Sequence, residues 1–390
     1  MINHSDWRNG IQYLDNAIQP LRIGNLKATI PIIQGGMGVG ISLSRLAAAV
    51  ANEGGIGVIS ATGIGMLEPD FNNDTMTANR RRLYREISEA RRTTKGIIGV
   101  NILVALTDYY DVLKTAIDAG ADLVFMGAGL PLKLPEVLLP GSPMKIKTKI
   151  VPIVSSAKAA QVIFHYWQKN FHRLPDALVV EGPMAGGHLG FKKDQLNNPD
   201  FELGKLLTEV IAVVSNYEKY SDTKIPVIAA GGIFTGADIF KFMSLGASGV
   251  QMATRFVGTH ECDAAIEFKE AYLRCNKEDL MIIDSPVGLP GRAIRNAFLN
   301  DISENKRIPF KCHWHCLKTC NPEKSRYCIC LALINAKIGK LRNGFAFAGA
   351  NAYRVKTIIS VRELITLLLE EYQQAVTCAG KLICDNAPIG

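Results

Sequence analysis

Eight short apolar segments, separated by helical patterns, constrain the fold more strongly than any other feature of this chain. They lie at 29–34, 56–60, 96–103, 123–126, 150–154, 177–180, 225–230 and 249–252. Segments that are apolar along nearly their whole length indicate parallel strands buried on both faces. Eight such strands alternating with amphipathic helices predict an α/β fold, a TIM (β/α)8 barrel, with a doubly wound open sheet as the alternative.

The residues that follow the strands favour the barrel. Nearly every strand is followed on its carboxyl side by Gly, Ser, Asn or Thr, as at Asn101 and at Gly231-Gly232. In a barrel these ends meet on one face, where active sites are built. We therefore expect the functional residues in the loops after the strands.

The pattern changes along the chain and predicts four parts. A polar lead-in at 1–19 precedes the barrel at 20–260. Fewer strand signals at 261–343 predict a mostly helical substrate or lid domain, and 344–390 is interpreted as a return to the barrel. A chain of 390 residues is long enough for one large domain with such an appendage.

Composition and charge exclude several classes of protein. Hydrophobic residues at 48% and charged residues at 21% are typical of a globular protein with a sizeable core. A net charge of +8 is mild, and the basic residues are scattered, so we expect no nucleic-acid partner. We also expect no membrane span and no apolar leader, hence a cytoplasmic protein. The sequence does not specify an oligomeric state, and a homo-oligomer is compatible with it.

Glycines near the barrel's start and end suggest phosphate binding. The run 36–40, G-M-G-V-G, is a poor dinucleotide fingerprint, because Ile41 takes its third small position and no acidic residue ends the next strand. Gly231 and Gly232 end the seventh strand, and Ala253 and Thr254 follow the eighth. Loops at these two strands often hold phosphate in barrels, although tight turns alone would also explain them.

The segment 179–191, V-V-E-G-P-M-A-G-G-H-L-G-F, carries the strongest candidate for chemistry. Ala185 and Gly187 have almost no side chain, so a flat ligand could lie on the backbone there. His188 places an ionisable imidazole beside that surface, as a proton-transfer group requires. An ordinary loop histidine is the alternative.

Five motifs together are similar to those of the FMN-dependent nitronate monooxygenases, formerly called 2-nitropropane dioxygenases. The motifs are P-I-I-Q-G-G-M-G at 31–38, G-V-N at 99–101, E-G-P-M-A-G-G-H-L-G at 181–190, I-P-V-I-A-A-G-G-I at 225–233 and G-A-S-G-V-Q-M-A-T-R-F at 246–256. The resemblance covers roughly residues 20–300, and the flavin enoyl-[acyl-carrier-protein] reductases are close relatives of the family. It implies a TIM barrel with a smaller helical domain over the flavin.

The resemblance also implies site residues, with His188 as the catalytic base. Ten positions are expected to contact FMN: Gly36 and Met37 at the ring, Asn101 at its polar edge, Gly182, Ala185 and Gly187 passing close to it, and Gly231, Gly232, Ala253 and Thr254 at the phosphate. Met184 replaces an acidic residue common in the family, and this makes the surroundings of His188 more apolar, which disfavours the imidazolium.

The implied activity is oxidation of alkyl nitronates, or of nitroalkanes, with O2 to a carbonyl compound and nitrite. His188 would take the α-proton of a nitroalkane or orient a nitronate. An NAD(P)H-dependent enoyl-thioester reductase is the nearest alternative, and a non-redox phosphate-binding barrel enzyme is an alternative of another class. In each case the partner is a small-molecule substrate.

Two further features remain open in the sequence. Five cysteines lie between 312 and 330, namely Cys312, Cys316, Cys320, Cys328 and Cys330, and the first three would share one face if this segment were helical. With His313 and His315 nearby they could form a zinc or iron–sulfur site, or they could pack as small hydrophobic side chains. Their spacing is not C-x-x-C, so we assign no metal ligand. Arg292 and Arg295 follow a Gly-Pro turn, and we expect them on a solvated face.

Overall fold

A closed barrel of eight parallel strands forms the centre of the molecule, as the sequence predicts. The computed structural model describes residues 18–135, 138–139, 146–219, 224–312 and 314–385, with side chains up to 379. The strands are β1 Leu21–Ile23, β2 Leu26–Ala28, β3 Ile32–Gln34, β4 Ile56–Ser60, β5 Ile97–Leu103, β6 Leu123–Gly127, β7 Lys149–Val154, β8 Leu178–Glu181, β9 Gly187–His188, β10 Val227–Ala230, β11 Gly249–Met252, β12 Leu280–Asp284 and β13 Pro290–Ile294. The barrel order is β3-β4-β5-β6-β7-β8-β10-β11, and β11 pairs with β3 to close it.

Helices cover the outside of the barrel and continue beyond it. They are α1 Ser44–Asn52, α2 Thr75–Thr93, α3 Tyr109–Asp118, α4 Ala157–Phe171, α5 Leu203–Glu218, α6 Gly236–Ser244, α7 Thr254–Val257, α8 Ile266–Arg274, α9 Ala297–Ser303, α10 Ile329–Lys337 and α11 Val361–Asp385. Short 3-10 helices lie at Ile64–Leu67, Lys193–Gln195, Pro199–Phe201, Lys277–Asp279, Leu341–Asn343 and Ala352–Arg354.

Local sequence signals explain where several of these elements begin. The side chain of Asp74 accepts a hydrogen bond from the Thr77 N–H and caps the start of α2. Thr235 and Asp238 form a reciprocal capping box at the start of α6. The first barrel strand is shorter than the predicted 29–34, because Pro31 has no N–H for the sheet.

The barrel interior is packed with apolar side chains and closed at its amino-terminal end. Val58, Phe125, Val179 and Ile228 belong to one buried cluster inside the barrel. The hairpin β1–β2 adds Leu21 and its neighbours to the same cluster. Since side chains fill the interior from below, a cavity can open only at the carboxyl ends of the strands.

The segment after the barrel contains helices, as predicted, and also a hairpin that the sequence did not indicate. β12 pairs antiparallel with β13, and β13 pairs antiparallel with β9. Because β9 follows barrel strand β8, this three-stranded sheet joins the appendage to the His188 loop. The predicted domain boundaries at 260 and 343 stay a prediction.

The closing part of the chain packs back on the barrel helices. α11 packs on α6, and its Glu371 accepts a hydrogen bond from the Gly236 N–H at 2.7 Å. A Cβ on Gly236 would lie 2.1 Å from the Leu368 carbonyl oxygen, so only glycine allows α6 and α11 to approach this closely. No helix in the described ranges is long and apolar enough to cross a membrane.

Candidate active site

A cavity of about 660 Å3 opens at the carboxyl ends of the barrel strands. Strand ends and the loops after them form its floor, including Gly35, Asn101, Gly127 and Glu181. The cover comes from the appendage and the closing segment: Val287, Leu289, Leu317, Ile329, Leu333 and Phe347. The volume lies within the range of about 300–1,000 Å3 that is usual for small-molecule and cofactor sites.

The structure brings all but one of the predicted site residues to this cavity. Those in its wall are Gly36, Met37, Asn101, Ala185, Gly187, His188, Gly231, Gly232, Ala253 and Thr254. Gly182 does not line the cavity. A Cβ at Gly182 would lie 2.9 Å from the Cβ of Leu203, so this glycine allows the β8 loop to pack against α5.

Two close approaches explain glycines in the cavity wall. A Cβ on Gly36 would lie 2.4 Å from the Cβ of Asn101, so the loop after β3 can cross β5 only without a side chain. Gly232 has a φ of +84°, and a Cβ there would lie 2.8 Å from the Cβ of Met184. These positions keep bare backbone at the cavity surface.

His188 is held in the wall by contacts from distant parts of the chain. It pairs with Gly291 through β9 and β13. Its Nε2 lies 2.7 Å from the Ser285 Oγ, and its ring packs edge-on against Phe347 at a centroid distance of 4.9 Å. Burial lowers the pKa of His188 to about 4, so the ring is neutral at pH 7.

Arg292 corrects one sequence expectation. Its side chain is buried rather than solvated, and it donates hydrogen bonds to the carbonyl oxygens of Pro183 at 2.8 Å and Ala185 at 2.5 Å. Burial lowers the pKa of Arg292 to about 10, which still leaves it charged at pH 7. Arg292 therefore fixes the backbone of the His188 loop from behind. Arg295 is exposed, as expected.

Glu181 is a cavity group that the sequence reasoning did not select. It is the last residue of β8, two positions after Val179, so both side chains point into the barrel. Within the described part of the chain, no residue forms a hydrogen bond or ion pair with its carboxylate. Burial raises the pKa of Glu181 to about 7. The position of Glu181 at the carboxyl end of a barrel strand could have identified it as a candidate site residue from the sequence.

Two hydroxyls in the cavity wall lack protein partners. Ser60 Oγ and Thr62 Oγ1 are buried, and neither finds a hydrogen-bond partner among the described residues. Buried polar atoms are normally satisfied, so these hydroxyls fit a site that takes a polar ligand.

The closing segment holds several parts of the wall together. The Asn351 side-chain amide donates to the Gly232 carbonyl oxygen at 2.6 Å, and the Ala350 N–H donates to the Met184 carbonyl oxygen at 3.0 Å. The Ala348 N–H donates to the Arg292 carbonyl oxygen at 3.0 Å. These contacts explain why a segment far along the chain resembles the strand-end loops in composition.

The cysteine-rich segment does not form the helix that would place Cys312, Cys316 and Cys320 on one face. Its backbone instead bonds to the loop after β5, and Leu317 forms a bridge with Leu106. Among the residues that the structure describes, no group of three or more His, Cys, Asp or Glu side chains is placed to hold a metal ion. His313 lies outside the described residues.

The fold and the cavity together define a class: a (β/α)8-barrel protein whose active face holds a cofactor-sized site with a half-buried imidazole. The model of the nitronate monooxygenase family matches residues 19–124 and 109–371. A probable nitronate monooxygenase from Staphylococcus aureus is 30% identical over 305 residues, which cover 72% of this chain and 79% of that protein.

The chain is similar to two further proteins. The (3aS,4S,5R,7aS)-5-hydroxy-7a-methyl-1-oxo-octahydro-1H-indene-4-carboxyl-CoA dehydrogenase from Mycobacterium tuberculosis is 27% identical over 277 residues, covering 71% of this chain and 66% of that protein. The structure of FabK from Thermotoga maritima matches with a TM-score of 0.69 and 28% identity, covering 90% of this chain and 96% of that one. The chain belongs to the nitronate monooxygenase family, and it is a flavin oxidoreductase.

Proposed function

We propose that this enzyme binds FMN and oxidises alkyl nitronates with O2 to a carbonyl compound and nitrite. The observation that carries the proposal is the position of His188, a neutral imidazole in the wall of a cofactor-sized cavity beside bare glycine backbone. Oxidation of a nitronate needs a flat redox cofactor and a group that handles the α-proton or orients the anion. The cavity has room for such a cofactor, and His188 supports the second requirement.

The cavity wall supports FMN as the flavin. The backbone at Gly36 and Gly187 leaves room for a flat ring, and Asn101 lies where an amide can bond to the ring's polar edge. Gly231, Gly232, Ala253 and Thr254 would receive the phosphate, with the Thr254 hydroxyl as a donor. When bound, the flavin supplies the electron transfer from substrate to O2.

His188 can accept a proton through one particular nitrogen. Since Ser285 Oγ engages Nε2, the nitrogen left for a substrate is Nδ1. For Nδ1 to act as a base, Nε2 must carry the ring proton and donate it to the Ser285 hydroxyl. Ser285 is therefore a positioning residue: its hydroxyl holds the ring in place and can accept the Nε2 proton in the tautomer that leaves Nδ1 basic.

The low pKa of His188 favours the nitronate over the neutral nitroalkane as the substrate. A ring with a pKa of about 4 is a weak base at neutral pH, so proton abstraction from carbon is poorly driven. A nitronate has already lost that proton and needs only orientation. Its negative charge beside the imidazole would also raise the pKa of His188.

Anaerobic titration of the flavin tests this proposal. Purified protein with a flavin absorption spectrum should bleach on addition of a preformed alkyl nitronate and change little with NADH. Oxygen uptake without NAD(P)H should then accompany nitrite release. A spectrum that NADH bleaches rapidly and a nitronate leaves unchanged would exclude the nitronate proposal.

Reduction of an enoyl thioester with NAD(P)H is the second candidate, and the cover of the cavity favours it. Val287, Leu289, Leu317 and Leu333 give the cover the apolar character that an acyl chain needs. The relatives that match this chain include a carboxyl-CoA dehydrogenase, and this supports a thioester substrate. NADH-driven bleaching followed by reoxidation with crotonyl thioester would favour this candidate.

A further inference from the structure

A short strap covers one side of the cavity and is bonded to the barrel. The strap, residues 315–318, is anchored to the loop after β5: the Thr107 N–H donates to the Cys316 carbonyl oxygen at 3.3 Å, and the Lys318 N–H donates to the Ala105 carbonyl oxygen at 2.9 Å. Leu317 of the strap and Ala105 both line the cavity.

The strap brings one cysteine against a second that lies in the cavity wall. The Sγ atoms of Cys316 and Cys330 are 3.4 Å apart. Cys330 is the second residue of α10 and lines the cavity with Ile329 and Leu333. Since a disulfide has a sulfur–sulfur distance of about 2 Å, a small approach of the strap to α10 would allow the bond.

The two thiols differ in a way that suits sequential oxidation. Cys316 is half-exposed, and its hydrogen bond with Cys330 lowers the pKa of its thiol. Cys330 is buried, and the same hydrogen bond together with burial raises its pKa. The thiolate is the reactive form, so Cys316 is the attacking group and Cys330 the resolving group.

We propose that Cys316 and Cys330 form a peroxide-sensitive pair that closes to an intrachain disulfide in the cavity wall. The Cys316 thiolate attacks hydrogen peroxide, becomes a sulfenic acid and releases hydroxide. Cys330 then attacks the Cys316 sulfur, the S–O bond breaks, and its thiol proton leaves with the oxygen as water. In total, two thiols are oxidised and one peroxide is reduced to two waters.

The bond would have a structural consequence at the site. It would tie the strap, already bonded to the loop after β5, to α10, and both elements supply cavity-lining side chains. Oxidation would thereby fix this wall relative to the barrel. The proposal does not depend on which substrate the flavin oxidises, so its failure would leave the proposed function untouched.

Mass spectrometry after tryptic digestion tests the pair directly. One equivalent of hydrogen peroxide should remove two titratable thiols of the nine in the chain. After alkylation and digestion without reductant, the peptides 312–318 and 327–337 should be found linked, and reductant should separate them. Fragmentation of the linked species should place the bond at Cys316 and Cys330, and this readout needs no variant.

The same peptides provide matched control variants. Cys312→Ser and Cys328→Ser alter the other cysteine of each peptide and should keep the link. Cys316→Ser and Cys330→Ser should abolish it. Absence of a linked peptide in the wild-type protein, or a bond that fragmentation assigns to Cys312 or Cys328, would overturn the proposal.

Discussion

Replacement of His188 by Asn separates two roles of the imidazole. An asparagine amide still forms hydrogen bonds, but it does not take up a proton at neutral pH. We expect the H188N variant to turn over neutral nitroalkane about a hundredfold more slowly or worse, the usual cost of losing a general base. FMN should stay bound, because the β9 backbone remains paired with β13.

The difference between the losses expected for the two substrates follows from the burial of the ring. With a pKa of about 4, the neutral ring exceeds the imidazolium about a thousandfold at pH 7, and protonating it costs about 4 kcal/mol. Proton abstraction from a nitroalkane must meet that cost, offset in part by attraction between the imidazolium and the new nitronate. A nitronate supplied as the anion avoids the step. Its turnover in H188N should fall less than about tenfold, the loss expected from one hydrogen bond.

Oxygen uptake at equal flavin content measures the two losses. Wild-type and H188N proteins are compared with a nitroalkane and with its preformed nitronate, and the nitroalkane loss should exceed the nitronate loss by about tenfold or more. His165→Asn is the matched control, because His165 is exposed on α4 and does not line the cavity. Equal losses for both substrates, or none, would refute His188 as the base.

Three other perturbations test the remaining parts of the site. Ser285→Ala should reduce nitroalkane turnover about fivefold to tenfold through loss of the hydrogen bond that positions the His188 ring, and unchanged kinetics would remove Ser285 from the mechanism. Gly232→Val should weaken FMN retention on gel filtration, since φ is +84° and a side chain, crowded by Met184, would disturb the proposed phosphate-binding loop; full flavination would count against this placement. Burial raises the pKa of Glu181 from 4.5 to about 7. The contribution of this carboxyl to the free energy of unfolding is therefore fully present below pH 4.5 and is lost as the pH rises through 7. Glu181→Gln should therefore raise the Tm of flavin-free protein at pH 8 and not at pH 4. The gain in the free energy of unfolding at pH 8 is at most about 3 kcal/mol, because the cavity admits water. An equal change at both pH values would contradict the assignment.

Local patterns were sufficient for the barrel but not for the contacts made around His188. Strand length, apolar content and terminal glycines are properties of a few consecutive residues, so the sequence alone shows them. The strands β4 and β11 accordingly have the predicted bounds. The Ser285 contact joins positions 97 residues apart, and no local pattern reports such a pair. Arg292 was expected in solvent because a lone arginine after a turn is usually solvated, whereas its partners are carbonyl oxygens of the His188 loop.

The same limit applies to the cysteine-rich segment. The i, i+4 spacing of Cys312, Cys316 and Cys320 suits a helix, but this backbone finds its hydrogen-bond partners in the loop after β5. The hairpin β12–β13 was missed for a related reason. Its second strand, β13, pairs with β9, which is only two residues long and has no recognisable strand pattern in the sequence.

The turn of the β12–β13 hairpin carries both a contact of His188 and part of the cavity cover. Ser285 follows β12 and contacts the His188 ring, and Leu289 precedes β13 and covers the cavity. If this turn lifted, the Ser285 hydroxyl would leave His188 together with the cover. His188 would then be positioned for proton transfer only while the cover is down, which would shield the reacting substrate from bulk water until the product leaves.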